Sequence, residues 1–313
     1  MKSMKAVRIH SYGGSEVLSY EETPRPIPGE GDVLIRVHAT SVNPFDVAVR
    51  SGYMASYFNY SFPLILGTDV SGVIEEVGPG VTNFSPGDAV FTRAGVFRDG
   101  AYAEYALATA ADVTAKPRSL DHIHTAALPH ATLTAWFALF DMANLTKGQT
   151  VLIHGAAGGV GHVAVQLAKL RGAKVIGTAS KNIDLLESLG VDQRINYAET
   201  PFEEIAHDVD VVLDTIGGDT QQRSWATLKK GGMLVSTIQA PSEETAAAHG
   251  VRQGMVYAAP PIRQTLAEVA KWVDEGKIKP VVSEVIPLRD VQKAHQVIQR
   301  NHTRGKIVLQ VVQ

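Results

Sequence analysis

The chain of 313 residues contains no cysteine. That excludes disulfides and any metal held by thiolates. Neither sign of charge dominates: 29 Lys and Arg stand against 32 Asp and Glu, a formal net charge of -3. No basic stripe is present to neutralise phosphates, so nucleic acid is not an expected partner. Long membrane-type apolar runs are also missing. Two stretches, 122–140 and 148–168, lack Asp, Glu, Lys and Arg. The first carries three histidines, three threonines and Pro129, and the second carries a glycine-rich turn, so neither reads as a membrane span. Met1 to His10 has no apolar core of the signal-peptide kind, and a cytoplasmic protein is the expectation. With 45% hydrophobic and 19% charged residues, the composition is that of a folded chain, long enough for two domains.

What is present centres on Val151-Leu152-Ile153-His154-Gly155-Ala156-Ala157-Gly158-Gly159-Val160-Gly161. An apolar strand enters a glycine-rich turn. The turn leads into Val160, Val163, Ala164, Leu167 and Ala168 at helical spacing. The glycine frame is Ala156-x-Gly158-x-x-Gly161, and a second strand, Ala173 to Ala179, follows at the distance a βαβ unit needs. Glycines let the backbone approach a pyrophosphate, and a helix N-terminus offers free N–H groups to the anion. Ala156, Ala157, Gly158, Gly159, Val160 and Gly161 are therefore candidate dinucleotide-binding residues.

Roughly the first 115 residues read as short strands with glycine turns, a β-rich domain. They include a hairpin expected over 11–20 with Gly13-Gly14 at its turn. The Pro-rich segment 23–32 is expected to be irregular, and Asn43-Pro44-Phe45-Asp46 opens a short helix. From Pro117 the pattern changes, and 120–143 reads as helical. Strands and helices then alternate to residue 277, which implies a doubly wound parallel sheet, with Val256 to Ala259 as its last strand. The end of the chain returns to an extended segment, a helix and the strand Gly305 to Val311. That strand needs a sheet to join, and the β-rich domain is its natural host. The expected division is 1–117 with 278–313 as a β-rich catalytic domain, and 118–277 as a dinucleotide-binding Rossmann domain inserted within it.

With the phosphate loop in place, the chain resembles the medium-chain dehydrogenase/reductases, and within them the zinc-free quinone oxidoreductases, the zeta-crystallin-like branch. The likeness rests on Ser41 to Asp46, Leu66 to Val73, Pro86 to Val90, Thr132 to Trp136, the 153–169 loop and helix, Asp214 to Gly218, and Gly305 to Leu309. It implies that the β-rich domain is GroES-like. Where the zinc-dependent members have a catalytic cysteine, this chain has Asn43. Where they have Gly-His-Glu, it has Gly67-Thr68-Asp69. Only ten residues separate Phe91 from Tyr102, so the four-cysteine lobe is missing. His122 and His124 lack a third ligand nearby, and no metal is expected.

A chain without a metal lacks a Lewis acid worth several kcal/mol for polarising a simple carbonyl. Quinones and α,β-unsaturated carbonyls need less help, because they take hydride at carbon and spread the charge onto oxygen. The strand end Thr178-Ala179-Ser180-Lys181 offers a lysine and no carboxylate, which favours NADPH as the cofactor. By resemblance, Ser180, Lys181 and Tyr197 are implied to hold the 2′-phosphate. Asn43, Thr132, Thr215 and Ile238 are implied to line the rest of the cofactor. Asn43, Tyr53 and Tyr57 are the candidate catalytic donors, with His130 as an alternative. Alternatives of function are enoyl-thioester reduction and a non-catalytic NADPH-binding role, crystallin-like or RNA-binding. A homodimer is expected through the sheet edge at Val256 to Ala259.

Overall fold

A computed structural model of the chain describes residues 2–257, 262–300 and 303–312. In chain order its elements are β1 (Ser3–Ile9), β2 (Ser19–Pro24), β3 (Asp32–Val42), α1 (Pro44–Arg50), β4 (Leu64–Ile65), β5 (Asp69–Val77), β6 (Ala89–Arg93), β7 (Tyr105–Thr109), β8 (Thr114–Ala115), α2 (His122–Ala126) and α3 (Pro129–Trp136). There follow β9 (Thr150–Ile153), α4 (Gly161–Leu170), β10 (Lys174–Ala179), α5 (Ile183–Ser188), β11 (Gln193–Asn196), β12 (Val209–Asp214), α6 (Gly218–Ser224), β13 (Leu228–Ser236), α7 (Glu243–His249) and β14 (Arg252–Met255). The last elements are α8 (Ile262–Asp274), β15 (Val282–Pro287), α9 (Val291–Gln299) and β16 (Lys306–Gln310). Among the described residues no helix is long and apolar enough to cross a membrane.

One unit comprises Met1–His130, Pro261–Glu275 and Pro280–Gln313. It holds a seven-stranded sheet in the order β15-β16-β3-β5-β6-β8, with β7 also on β3, and a three-stranded sheet β2-β1-β4. Strand β3 is long and mostly buried because it pairs with β5, β7 and β16. The C-terminal strand does join this sheet, antiparallel to β3 with Ile307 opposite Val42. The sheet thereby gathers the end of β3, the start of β5 and the start of β16, which carry Ser41, Asp69 and Lys306.

The second unit comprises Ala131–Pro260 and Gly276–Lys279. Its six strands are all parallel, in the order β11-β10-β9-β12-β13-β14. Renumbered from β9 this is 3-2-1-4-5-6, the dinucleotide-binding arrangement with its switch point between β9 and β12. Strand β12 is buried along its whole length, as a central parallel strand covered on both faces must be. The Rossmann-type sheet interrupting a GroES-like, β-rich unit is the architecture the sequence suggested.

Several boundaries differ. The 118–130 segment and α8 belong to the β-rich unit, because α2 packs on β3 and β5 and α8 packs on β6 and β8. Ser119 also bonds Asp274 within that unit, Oγ to Oδ1 at 2.8 Å. The hairpin β1–β2 has a long connection, with Gly13-Gly14 followed by a 3₁₀ turn at Ser15–Val17, and the second strand runs on through Pro24. A proline closes a strand without loss where its missing N–H is not needed. The last strand of the parallel sheet is Arg252–Met255, not Val256 to Ala259. Val256 and Tyr257 follow it, and residues 258 and 259 lie outside the described residues. Among the described residues β14 pairs only with β13, so it is the sheet's edge.

Candidate active site

The glycine-rich turn joins β9 to α4 at the C-terminal ends of the parallel strands. Gly155 turns the chain with φ +61°, a left-handed conformation that favours glycine. Gly161 allows helix and turn to touch: a Cβ there would sit 2.1 Å from the Gly155 carbonyl oxygen. On the other side of the switch point, Thr215 Oγ1 donates to the His154 carbonyl at 2.8 Å and ties the two loops together. Sequence reasoning missed what holds the second loop. Buried Asp214 accepts the N–H groups of Ile216 (2.9 Å) and Gly217 (2.8 Å), the Gln221 amide (3.0 Å) and the Ser236 hydroxyl (2.9 Å). His154 is also buried. It lies 3.1 Å from Thr178 Oγ1 and 2.9 Å from Ser224 Oγ, and burial pushes it down to about 4, so the imidazole is neutral.

The predicted phosphate residues converge in part. Ser180 Oγ donates to Tyr197 Oη at 3.0 Å, because β10 and β11 run in register with Ala179 beside Asn196. Lys181 follows Ser180 and is exposed. Ile216 and Ile238 are large apolar side chains left about half exposed, on the loops after β12 and β13. Thr132 is fully buried, yet its hydroxyl has no partner among the described residues. A glycine-rich backbone turn, apolar walls and an unpartnered buried hydroxyl fit a dinucleotide.

A second group of side chains lies in the β-rich unit. Asn43 ends β3 and starts α1, whose Asp46 reaches back to the Asn43 N–H at 2.8 Å. The Asn43 amide is 2% exposed and fully committed. Its Nδ2 donates to Asp69 Oδ2 (2.9 Å) and Thr68 Oγ1 (3.3 Å), and its Oδ1 accepts from Lys306. Asp69 also accepts the Ser41 hydroxyl, and Lys306 Nζ lies 3.4 Å from its Oδ2. Burial alone would raise the Asp69 carboxyl. Lys306, His130 and the donors Ser41 and Asn43 outweigh it and hold that carboxyl below its ordinary range. His130 lies 3.2 Å from Thr68 Oγ1, and its ring is pushed down to about 3 by burial, with Lys306 and Arg93 adding to it. In the sequence Lys306 shows only as part of a terminal strand. A charged residue leading the apolar run Ile307-Val308-Leu309 was the available signal.

A further chain of bonds braces this group. Arg50 Nη1 donates to His295 Nδ1 (3.2 Å), His295 Nε2 donates to Tyr102 Oη (3.2 Å), and Tyr102 donates to Asp46 (3.1 Å). The order is forced: Arg can only donate, so His295 is neutral and carries its proton on Nε2. Tyr53 and Tyr57 stand apart from both networks. They are 78% and 76% exposed, and neither hydroxyl makes a hydrogen bond among the described residues. No three His, Cys, Asp or Glu side chains among the described residues are grouped to hold a metal.

Family models match two segments: an alcohol dehydrogenase GroES-like domain over 29–118 and a zinc-binding dehydrogenase over 189–309. The chain is 36% identical to the mouse protein named NAD(P)H oxidoreductase RTN4IP1, mitochondrial, over 99% of this chain and 89% of that one. It is 33% identical to the quinone oxidoreductase of Pongo abelii, over 98% of each. A solved quinone oxidoreductase from Coxiella burnetii matches with a TM-score of 0.92 at 38% identity, covering 99% of this chain and 100% of that one.

Proposed function

Because the chain belongs to the zinc-free quinone oxidoreductase family of the medium-chain dehydrogenase/reductases, we propose that it is an NADPH-dependent reductase of quinones or α,β-unsaturated carbonyls. Membership itself carries the coarser statement, an oxidoreductase with a nicotinamide cofactor. That cofactor, when bound, supplies the hydride. The 155–161 turn would hold its pyrophosphate. Thr132 would give its unpartnered hydroxyl to the nicotinamide end, with Thr215, Ile216 and Ile238 along the cofactor's length.

The observation that carries the choice of NADPH is the Ser180–Tyr197 hydrogen bond beside Lys181. Two hydroxyls and an ammonium suit a 2′-phosphate, and no carboxylate lies between Thr178 and Asn182 to repel it. For the acceptor, charge developing on oxygen needs a donor. Asn43 has no N–H to spare, so its part is to position the cluster. The uncommitted hydroxyls of Tyr53 and Tyr57 are the donors we assign. Quenching of protein fluorescence by NADPH and NADH tests the cofactor assignment. Lys181→Ala should weaken NADPH binding about tenfold and NADH binding little. Equal weakening would remove Lys181 from the role.

A further inference from the structure

Arg93 closes β6, in register with Asp69 at the start of β5. Its neighbours are unusual for a guanidinium. Its side chain donates no hydrogen bond to a described residue, and its buried Nε has no partner. The carboxylates facing it are Asp69 and Asp112. Asp69 is already taken, with Oδ1 on the His130 N–H and Oδ2 on Ser41 and Asn43. Asp112 forms no ion pair with Arg93 among the described residues. A buried guanidinium nitrogen without an acceptor is unfavourable, and here that nitrogen is Nε. Arg98, by contrast, is held by Asp32 at 2.9 Å and Thr109 at 3.2 Å.

A hollow of about 220 Å³ is lined by Arg93, Gly95, Phe97, Arg98, Thr109 and Asp112. Phe97 is 83% exposed. A cavity of about 20 Å³, room for about one water, shares Gly95 and Arg98 with the hollow and borders Thr68 of the candidate active site. The larger hollow is too small for a whole ligand, since such pockets run from about 300 Å³ upward. It suits one charged end of a larger molecule. Arg93 offers a guanidinium that no carboxylate pairs with, and Phe97 offers a face to an apolar body. Asp112 on the same wall penalises a second negative charge.

We propose that the Arg93–Arg98 hollow is a subsite for a singly charged carboxylate on the acceptor substrate. The word acceptor rests on the reductase reading above, whereas the anion site rests on the hollow alone.

The experiment is calorimetric titration of the full chain with benzoate, benzyl alcohol and inorganic phosphate, on the wild type and Arg93→Met. Alongside it, kcat/KM is measured for 1,4-naphthoquinone-2-carboxylate and for 1,4-naphthoquinone. Benzoate should outbind benzyl alcohol in the wild type. Arg93→Met should weaken benzoate about tenfold or more and lower the carboxylate-to-neutral ratio of kcat/KM, with Tm equal or higher. A lower Tm with the benzoate preference intact would make Arg93 structural and overturn the proposal. Phosphate binding tighter than benzoate would overturn the carboxylate class. Arg93→Lys keeps the charge without the fork, and it should retain only part of the preference; full retention would also contradict the site. Arg93-dependent benzoate binding with no quinone turnover would sink the reductase reading and leave the subsite. Naphthoquinone turnover with no Arg93-dependent preference would do the reverse.

Discussion

Asp69 Oδ1 accepts the backbone N–H of His130 at 2.6 Å, while its Oδ2 accepts the Asn43 amide at 2.9 Å. One buried carboxylate thus fixes the start of α3 against the junction of β3 and α1. Lys306, 3% exposed, supplies the opposing charge. Removing one partner of a buried ion pair leaves the other uncompensated, at a cost of about 3–5 kcal/mol. Lys306→Met should lose that much in urea unfolding, and Asp69→Asn/Lys306→Met should recover part of it. A single variant as stable as the wild type would show that the pair does not hold the site. The acid limb follows from the lowered carboxyl of Asp69. Its contribution is complete above the unfolded value near 3.8 and is lost as pH falls through the lower folded value.

Asp46 has the opposite sign. Complete burial raises its carboxyl to about 7, with Asp69 adding to the effect, against hydrogen bonds from Asn43 and Tyr102. The folded state therefore holds a proton that the unfolded chain releases near 3.8. Stability should fall as pH rises from about 4 to about 7, by an amount of order 4 kcal/mol. Both donors reach the same oxygen, Oδ2, so an asparagine oxygen can accept both. Asp46→Asn should flatten this slope in Tm measured against pH. An unchanged slope would mean that another group is responsible.

Gly161→Ala tests the phosphate turn. The added methyl would meet the Gly155 carbonyl oxygen at 2.1 Å and Ala156 Cα at 2.7 Å, both backbone atoms that cannot swing aside. A loss of about 1–3 kcal/mol is expected, together with weaker dinucleotide binding. Wild-type binding in this variant would show that the turn does not contact the ligand.

Tyr53→Phe and Tyr57→Phe should each lower kcat/KM for a quinone, by about tenfold to a hundredfold, with Tm unchanged because both rings are exposed. Asn43→Ala should lower Tm, since three partners lose their bonds. Full activity in the Tyr53→Phe/Tyr57→Phe double variant would move the donor role elsewhere, with His130 next in line.

Local patterns made much of this legible. Glycine spacing and apolar periodicity marked the 151–169 unit, and the lone terminal strand called for a sheet that β3 provides. Charge complementarity across long separations was not legible. Asp69 and Lys306 are 237 residues apart, and His295 and Arg50 are 245 apart. Each looks like an ordinary polar residue until the sheet register brings the pair together. The same holds for Asp214, whose four acceptor bonds depend on where its loop folds back. The role expected of Asn43 shifted for a related reason. Its position was readable from Asn43-Pro44, but the use of both its amide hydrogens depends on Thr68 and Asp69.

The most direct test is the oxidation of NADPH, followed at its own absorbance, with 1,4-benzoquinone, 9,10-phenanthrenequinone and 1-octen-3-one in parallel and NADH alongside. Turnover of at least one acceptor, faster with NADPH than with NADH, is the expected result. Tight NADPH binding with no turnover of any of the three would contradict the proposed reductase.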